Sequence, residues 1–136
     1  LDGAAGFEKA IDLCISSDVG GVTDGAARAL PVDPGGAFAD GGGLVEGFAA
    51  TDSYAIGQLG PENAREAFVR IDRPEIDAFA VPGANFPTMA SIAAWEHEFG
   101  KPVVSSTQAA MWAMARELGG ERIAGHGRLL DLLPAG

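Results

Sequence analysis

Residues 76–118 read IDAFAVPGANFPTMASIAAWEHEFGKPVVSSTQAAMWAMAREL, and their pattern decides the fold. Residues 76–81 are a short apolar run rich in strand formers, closed by the breakers Pro82, Gly83, Ala84 and Asn85. Pro87 suits the first turn of a helix that runs to Phe99 and stops at Gly100. Lys101 and Pro102 lead into a second short strand, Val103, Val104 and Ser105, after which Ser106 or Thr107 can cap another helix. Two strands joined by a helix of this length form a parallel, right-handed crossover. In such sheets ligands bind just beyond the carboxyl ends of the strands. Those ends carry Gly83, Ala84 and Asn85 on one side and Ser105, Ser106 and Thr107 on the other, and these six are the expected substrate-binding residues.

Working outward, residues 61–71 make an amphipathic helix. Pro61 takes its first position and Ala64, Ala67, Phe68 and Ile71 lie at helical spacing, with Arg65, Glu66 and Arg70 on the wet side. Residues 51–60 read as a connecting loop and residues 44–50 as a strand. Residues 10–16 alternate as a first strand, with Ile11, Leu13 and Ile15 on one face, and residues 22–30 read as a short helix. Strands at 10–16, 44–50, 76–81 and 102–105, alternating with helices, predict a three-layer α/β domain with a four-stranded parallel sheet. Residues 31–43, PVDPGGAFADGGG, have little to bury and read as an irregular, mobile Gly/Pro-rich segment. Its glycines lack the spacing of a dinucleotide fingerprint.

A chain of 136 residues fits one domain spanning 1–136. A net charge of −10 argues against nucleic acid or an anionic membrane as a partner, but leaves room for a carboxylate held by a local nest of donors. No apolar run approaches the length of a membrane span. The one cysteine, Cys14, cannot form an internal disulfide, so a cytoplasmic setting is expected. His97 and His126 are isolated, and no metal or cofactor is expected. Trp95, Met111, Trp112 and Met114 fall at helical spacing and read as core or interface. The helix of residues 109–118 is apolar on most sides and is expected to bury more than one face, either inside its own domain or against a partner.

Several stretches together carry a resemblance. They are Pro82-Gly83-Ala84-Asn85, Gly100-Lys101-Pro102-Val103-Val104, Ser105-Ser106-Thr107-Gln108-Ala109 and the ending Gly125-His126-Gly127-Arg128-Leu129-Leu130. From about residue 44 onward, the sequence resembles the C-terminal half of the Asp/Glu racemase superfamily, in its maleate isomerase and arylmalonate decarboxylase branch. The resemblance implies one of two α/β halves facing each other across an active site. It also implies cofactor-independent isomerase, racemase or decarboxylase chemistry on a small carboxylate or dicarboxylate. The partner would be another half-domain or a second copy of the chain, and the abrupt start fits a chain that once had more before it.

In that family one cysteine from each half approaches opposite faces of the substrate; decarboxylases manage with one. Gly83 stands where the family loop holds its cysteine. Ser16-Ser17-Asp18 likewise lacks the tyrosine that the resemblance would place there. Glycine has no side chain to ionise, so no proton transfer or thiolate attack starts at residue 83. The catalytic residues are therefore unassigned, and the expected form is partial or catalytically impaired. The alternative is a non-catalytic carboxylate-binding or structural α/β domain. For the loops themselves, a plain strand-to-helix turn at Asn85 and helix capping by one of Ser105, Ser106 and Thr107 compete with ligand binding. Cys14, mid-strand with no basic neighbour in sequence, reads as a structural cysteine.

Overall fold

Strand β3 (Ile76–Val81) alternates its side chains between two cores, and the rest of the fold is arranged about it. Phe79 and Val81 face one way, Ala78 and Ala80 the other, and all four are fully buried. The computed structural model describes residues 27–31, 44–46, 53–83 and 85–136. Their elements in chain order are β1 (Ala27–Pro31), β2 (Leu44–Glu46), α1 (Ser53–Gly57), α2 (Pro61–Ile71) and β3. A 3-10 turn (Met89–Ser91), α3 (Ile92–Phe99), β4 (Val103–Ser105), α4 (Ser106–Leu118) and α5 (Arg128–Asp131) follow.

The strand order is β2-β1-β3-β4. β3 and β4 pair in parallel, with Phe79 opposite Val103 and Val81 opposite Ser105, and α3 makes the crossover between them. The chain is thus α/β with the expected parallel pair. The all-parallel sheet is corrected: among the described residues only these two strands run parallel to a neighbour, because β1 pairs antiparallel with both β2 and β3. The origin of the error is residues 27–30, expected to be helical and found in a strand. Ala, Arg and Leu favour helices in isolation, but that preference is under 1 kcal/mol per residue, roughly, and pairing with two neighbouring strands outweighs it. The register shifts between Leu30 and Pro31, where a residue without an N–H can be accommodated. The strand expected at 10–16 and Cys14 lie outside the described residues. So do residues 32–43 of the Gly/Pro-rich segment and residues 47–50 of the second strand.

One face of β3 packs against α2 and α3. Phe68 stacks on Phe79 with ring centroids 4.5 Å apart, and meets Trp95 and Phe99 edge-on at 5.3 and 5.8 Å. Pro61 does open α2, as its sequence predicts, while the Asn63 side chain accepts the Gly60 N–H at 2.9 Å. The other face packs Ala78, Ala80 and Val104 against Ala109 of α4 and Leu129 of α5. Lys101 joins the turn after α2, binding the Asp72 carboxylate and the Arg73 carbonyl (2.8 Å), with its ammonium 5.7 Å from the Phe79 ring.

Three local expectations change. Residues 53–57 form α1 instead of continuing a loop. The helix expected from Pro87 begins as a 3-10 turn at Met89 and becomes α-helical only at Ile92. The later half of α4 is not buried on several faces inside its own domain, one of the two settings expected for it: in α4 only Ser106, Gln108 and Ala109 are buried, while Met114 is 59% and Leu118 85% exposed. Its apolar surface therefore awaits a cover that the described residues do not supply.

Candidate functional site

The parallel pairing of Val81 with Ser105 makes β3 and β4 end side by side, so the two expected loops begin together. Past Val81 and the buried Pro82, Gly83 adopts φ +110°, a conformation that glycine alone takes readily. Its carbonyl accepts the Phe86 N–H at 3.0 Å, which closes a tight turn and drops Phe86 into the core. Asn85, on the outside of that turn, is exposed. Its backbone oxygen lies 3.7 Å from where a β-carbon on Gly57 would stand, so the end of α1 borders the loop.

Across the gap, Ser105 is the N-cap of α4, its Oγ accepting the Gln108 N–H at 3.3 Å. The cap is therefore Ser105, not Ser106 or Thr107. The same hydroxyl lies 3.8 Å from Met89 Sδ, as a weak donor. Capping occupies one of the three residues and releases the next: Ser106 Oγ accepts the Gly83 N–H at 3.3 Å, tying the two loops together. Ser105 and Ser106 are buried and Thr107 half-buried. The structure thus joins Gly83 of the first loop to Ser106 of the second, next to the Val81–Ser105 pairing; Asn85 is exposed, Thr107 follows Ser106 in the first turn of α4, and Ala84 lies outside the described residues.

Behind α4 lies a polar node that sequence reasoning missed. Glu96, on α3, is 5% exposed, and its two carboxylate oxygens accept the Val103 N–H (3.0 Å) and the Arg128 N–H (2.8 Å). Burial pushes its pKa above the usual carboxylate value, against the lowering effect of these two hydrogen bonds and of the Arg128 charge. Gln108, fully buried, donates through Nε2 to the His126 carbonyl at 2.5 Å. Gln108 Oε1 and His126 Nδ1 are buried without a partner. His126 is half-buried, whereas His97 is exposed. Between the neighbours Glu96 and His97, residue type does not mark the glutamate as the inward one. The only signal was its helical spacing from Ile92, which turns both toward the core.

Among the described residues, no group of three His, Cys, Asp or Glu side chains could hold a metal ion, and no helix is long and apolar enough to cross a membrane. The chemistry available at the loops is hydrogen bonding from backbone amides, hydroxyls and the Asn85 amide. At residue 83 there is no group to ionise.

No family model matches the chain. No curated protein matches it either. Two solved structures do, both of maleate isomerase Iso from Pseudomonas putida S16. One, a cysteine-to-alanine variant with maleate, is 30% identical with a TM-score of 0.53, covering 59% of this chain and 33% of that one. The other is 29% identical with a TM-score of 0.54, covering 60% of this chain and 34% of that one. The chain spans about 33–34% of the length of these neighbours. Over 59–60% of its own length, this chain is similar in fold and sequence to a maleate isomerase, and so to the Asp/Glu racemase superfamily.

Proposed function

We propose that the Gly83 and Ser106 loops form the carboxylate-binding part of a maleate isomerase-like site, and that this chain binds a small dicarboxylate without turning it over. The observation that carries the reading is the Gly83 N–H held by Ser106 Oγ at 3.3 Å, which brings the ends of two parallel strands to one place. Similarity to a structure holding maleate supports the ligand class. A carboxylate is a stronger acceptor than a serine hydroxyl and would compete with it for that N–H, as it would compete with the present partners of Ser106, Thr107 and Asn85 for theirs. Each sheltered hydrogen bond to a charged oxygen is worth ~1.5–3 kcal/mol, and water weakens it at an open site. Affinity on the order of millimolar is expected.

The finer reading of isomerase, racemase or decarboxylase chemistry requires an ionisable group that residue 83 lacks. A partner half-domain, or a second copy laid on the exposed apolar surface of α4, would have to supply it. A non-catalytic domain is the second reading, favoured by the left-handed backbone at Gly83, which suits glycine and not the family's cysteine.

The test is an NMR titration with maleate. Shifts centred on residues 83, 85 and 105–107, weakened by Asn85→Ala and unchanged by His97→Ala, are expected. No shift there at tens of millimolar ligand would leave the structural reading alone.

A further inference from the structure

The C-terminal segment reaches the site through one side chain. Gln108 stands in the first turn of α4 with its backbone N–H on Ser105 Oγ and its side-chain Nε2 on the His126 carbonyl. Ser105 also lies against Met89, and the adjoining Ser106 holds the Gly83 N–H. Hydrogen bonds thus lead from His126, by way of Gln108, to Ser105, and the next residue in the chain, Ser106, carries the link on to Gly83. The amide cannot be turned over, because only its NH2 group can donate to a carbonyl.

Glu96 is the second fastener, bridging Val103 at the start of β4 to Arg128 at the start of α5. Between them sits Gly127, at φ +95°. A β-carbon there would lie 2.5 Å from Ile92 Cγ2, 3.1 Å from Gln108 Nε2 and 3.2 Å from Glu96 Oε2. The segment is seated so closely that glycine is required. Beyond it Leu129, Leu130 and Leu133 are buried, so unseating it would expose three leucines and strand a buried amide and a buried carboxylate.

We propose that Gln108 is a positioning residue, through which seating of residues 126–133 fixes the N-terminal turn of α4 and, with it, the Gly83 loop. The C-terminal segment then sets the geometry of the site without touching a ligand. Only the location of the site is taken from the proposed function. No ligand enters the experiment, so failure of maleate to bind would leave this inference standing, and the reverse also holds.

Amide exchange by NMR tests it on two variants. Gln108→Met keeps the side chain's length but cannot donate to His126. Gly127→Ala unseats the segment and alters neither loop. In both, exchange at Gly83 and Gln108 should accelerate about tenfold or more along with Arg128, while amides inside α2 keep their protection. Arg65→Ala, which removes only an exposed pair with Glu98, should change none of the three. Faster exchange at Arg128 with Gly83 and Gln108 unmoved would show a segment that is merely packed against the body. A uniform rise that includes α2 would mean general destabilisation, and it too would overturn the assignment.

Discussion

At Gly83 space and backbone conformation give opposite answers. A β-carbon there would meet only the Phe86 β-carbon, at 4.0 Å, so the loop has room for a side chain. Its φ of +110° does not admit one without strain, which costs of order 1–3 kcal/mol for a residue other than glycine. Gly83→Ala should therefore lower stability by about that amount, read from the denaturant midpoint, even though nothing clashes. An unchanged midpoint would mean that the loop relaxes freely, and that a cysteine could be restored. Glu96 makes a different prediction. Its pKa is raised on folding, so its contribution to stability is fullest below the ordinary carboxylate range and is lost as pH rises through the raised value. The difference in stability between wild type and Glu96→Gln should shift against wild type from about pH 4 upward. Denaturation midpoints measured across that range check it, and a flat difference would put the carboxyl in a solvated setting. Gly83 was legible in the sequence because breakers after an apolar run announce a strand's end. Glu96 and Gln108 were not, since their importance comes from partners 7 and 32 residues away, or 18.

Among the elements, β3 and β4 were readable because short apolar runs bounded by breakers leave few choices. α2 was readable from its Pro61 start and its apolar spacing. β1 was not: its sequence, ARALP, carries a helix former's composition, and only pairing with β2 and β3 makes it a strand. The last half of α4 left two settings open. Apolar composition says that a surface wants covering, but not that this chain covers it. Where the cover is complete, at the aromatic cluster of α2, β3 and α3, truncation should be severe. Phe68 is fully buried and touches three aromatic rings, so Phe68→Ala should cost about 3–5 kcal/mol in thermal or denaturant unfolding. A loss under about 1 kcal/mol would mean that the cluster can collapse into the space.

For the molecule as a whole, the chain spans 33–34% of its solved neighbours and offers no ionisable side chain at residue 83. It should not isomerise, racemise or decarboxylate maleate or related acids at a useful rate, and alkylating Cys14 should leave any trace turnover unchanged. A coupled assay or NMR time course decides this; turnover that disappears on alkylation would make Cys14 a nucleophile.

The antiparallel run of β1 has a consequence for where the connection from β1 to β2 begins and ends. Pro31 pairs with Ile76, at the beginning of β3, whereas the candidate site lies past its other end. The chain therefore leaves β1 on the side of the sheet away from Gly83 and re-enters at Leu44. Pro31 and Leu44, the ends of β1 and β2 that face that stretch of sequence, thus lie toward the end of the sheet remote from Gly83. Ala27 and Glu46, the opposite ends of the same two strands, pair with each other at the end of the sheet nearer the site. Strand direction thus sets the β1-to-β2 connection at one end of the sheet and the candidate site at the other.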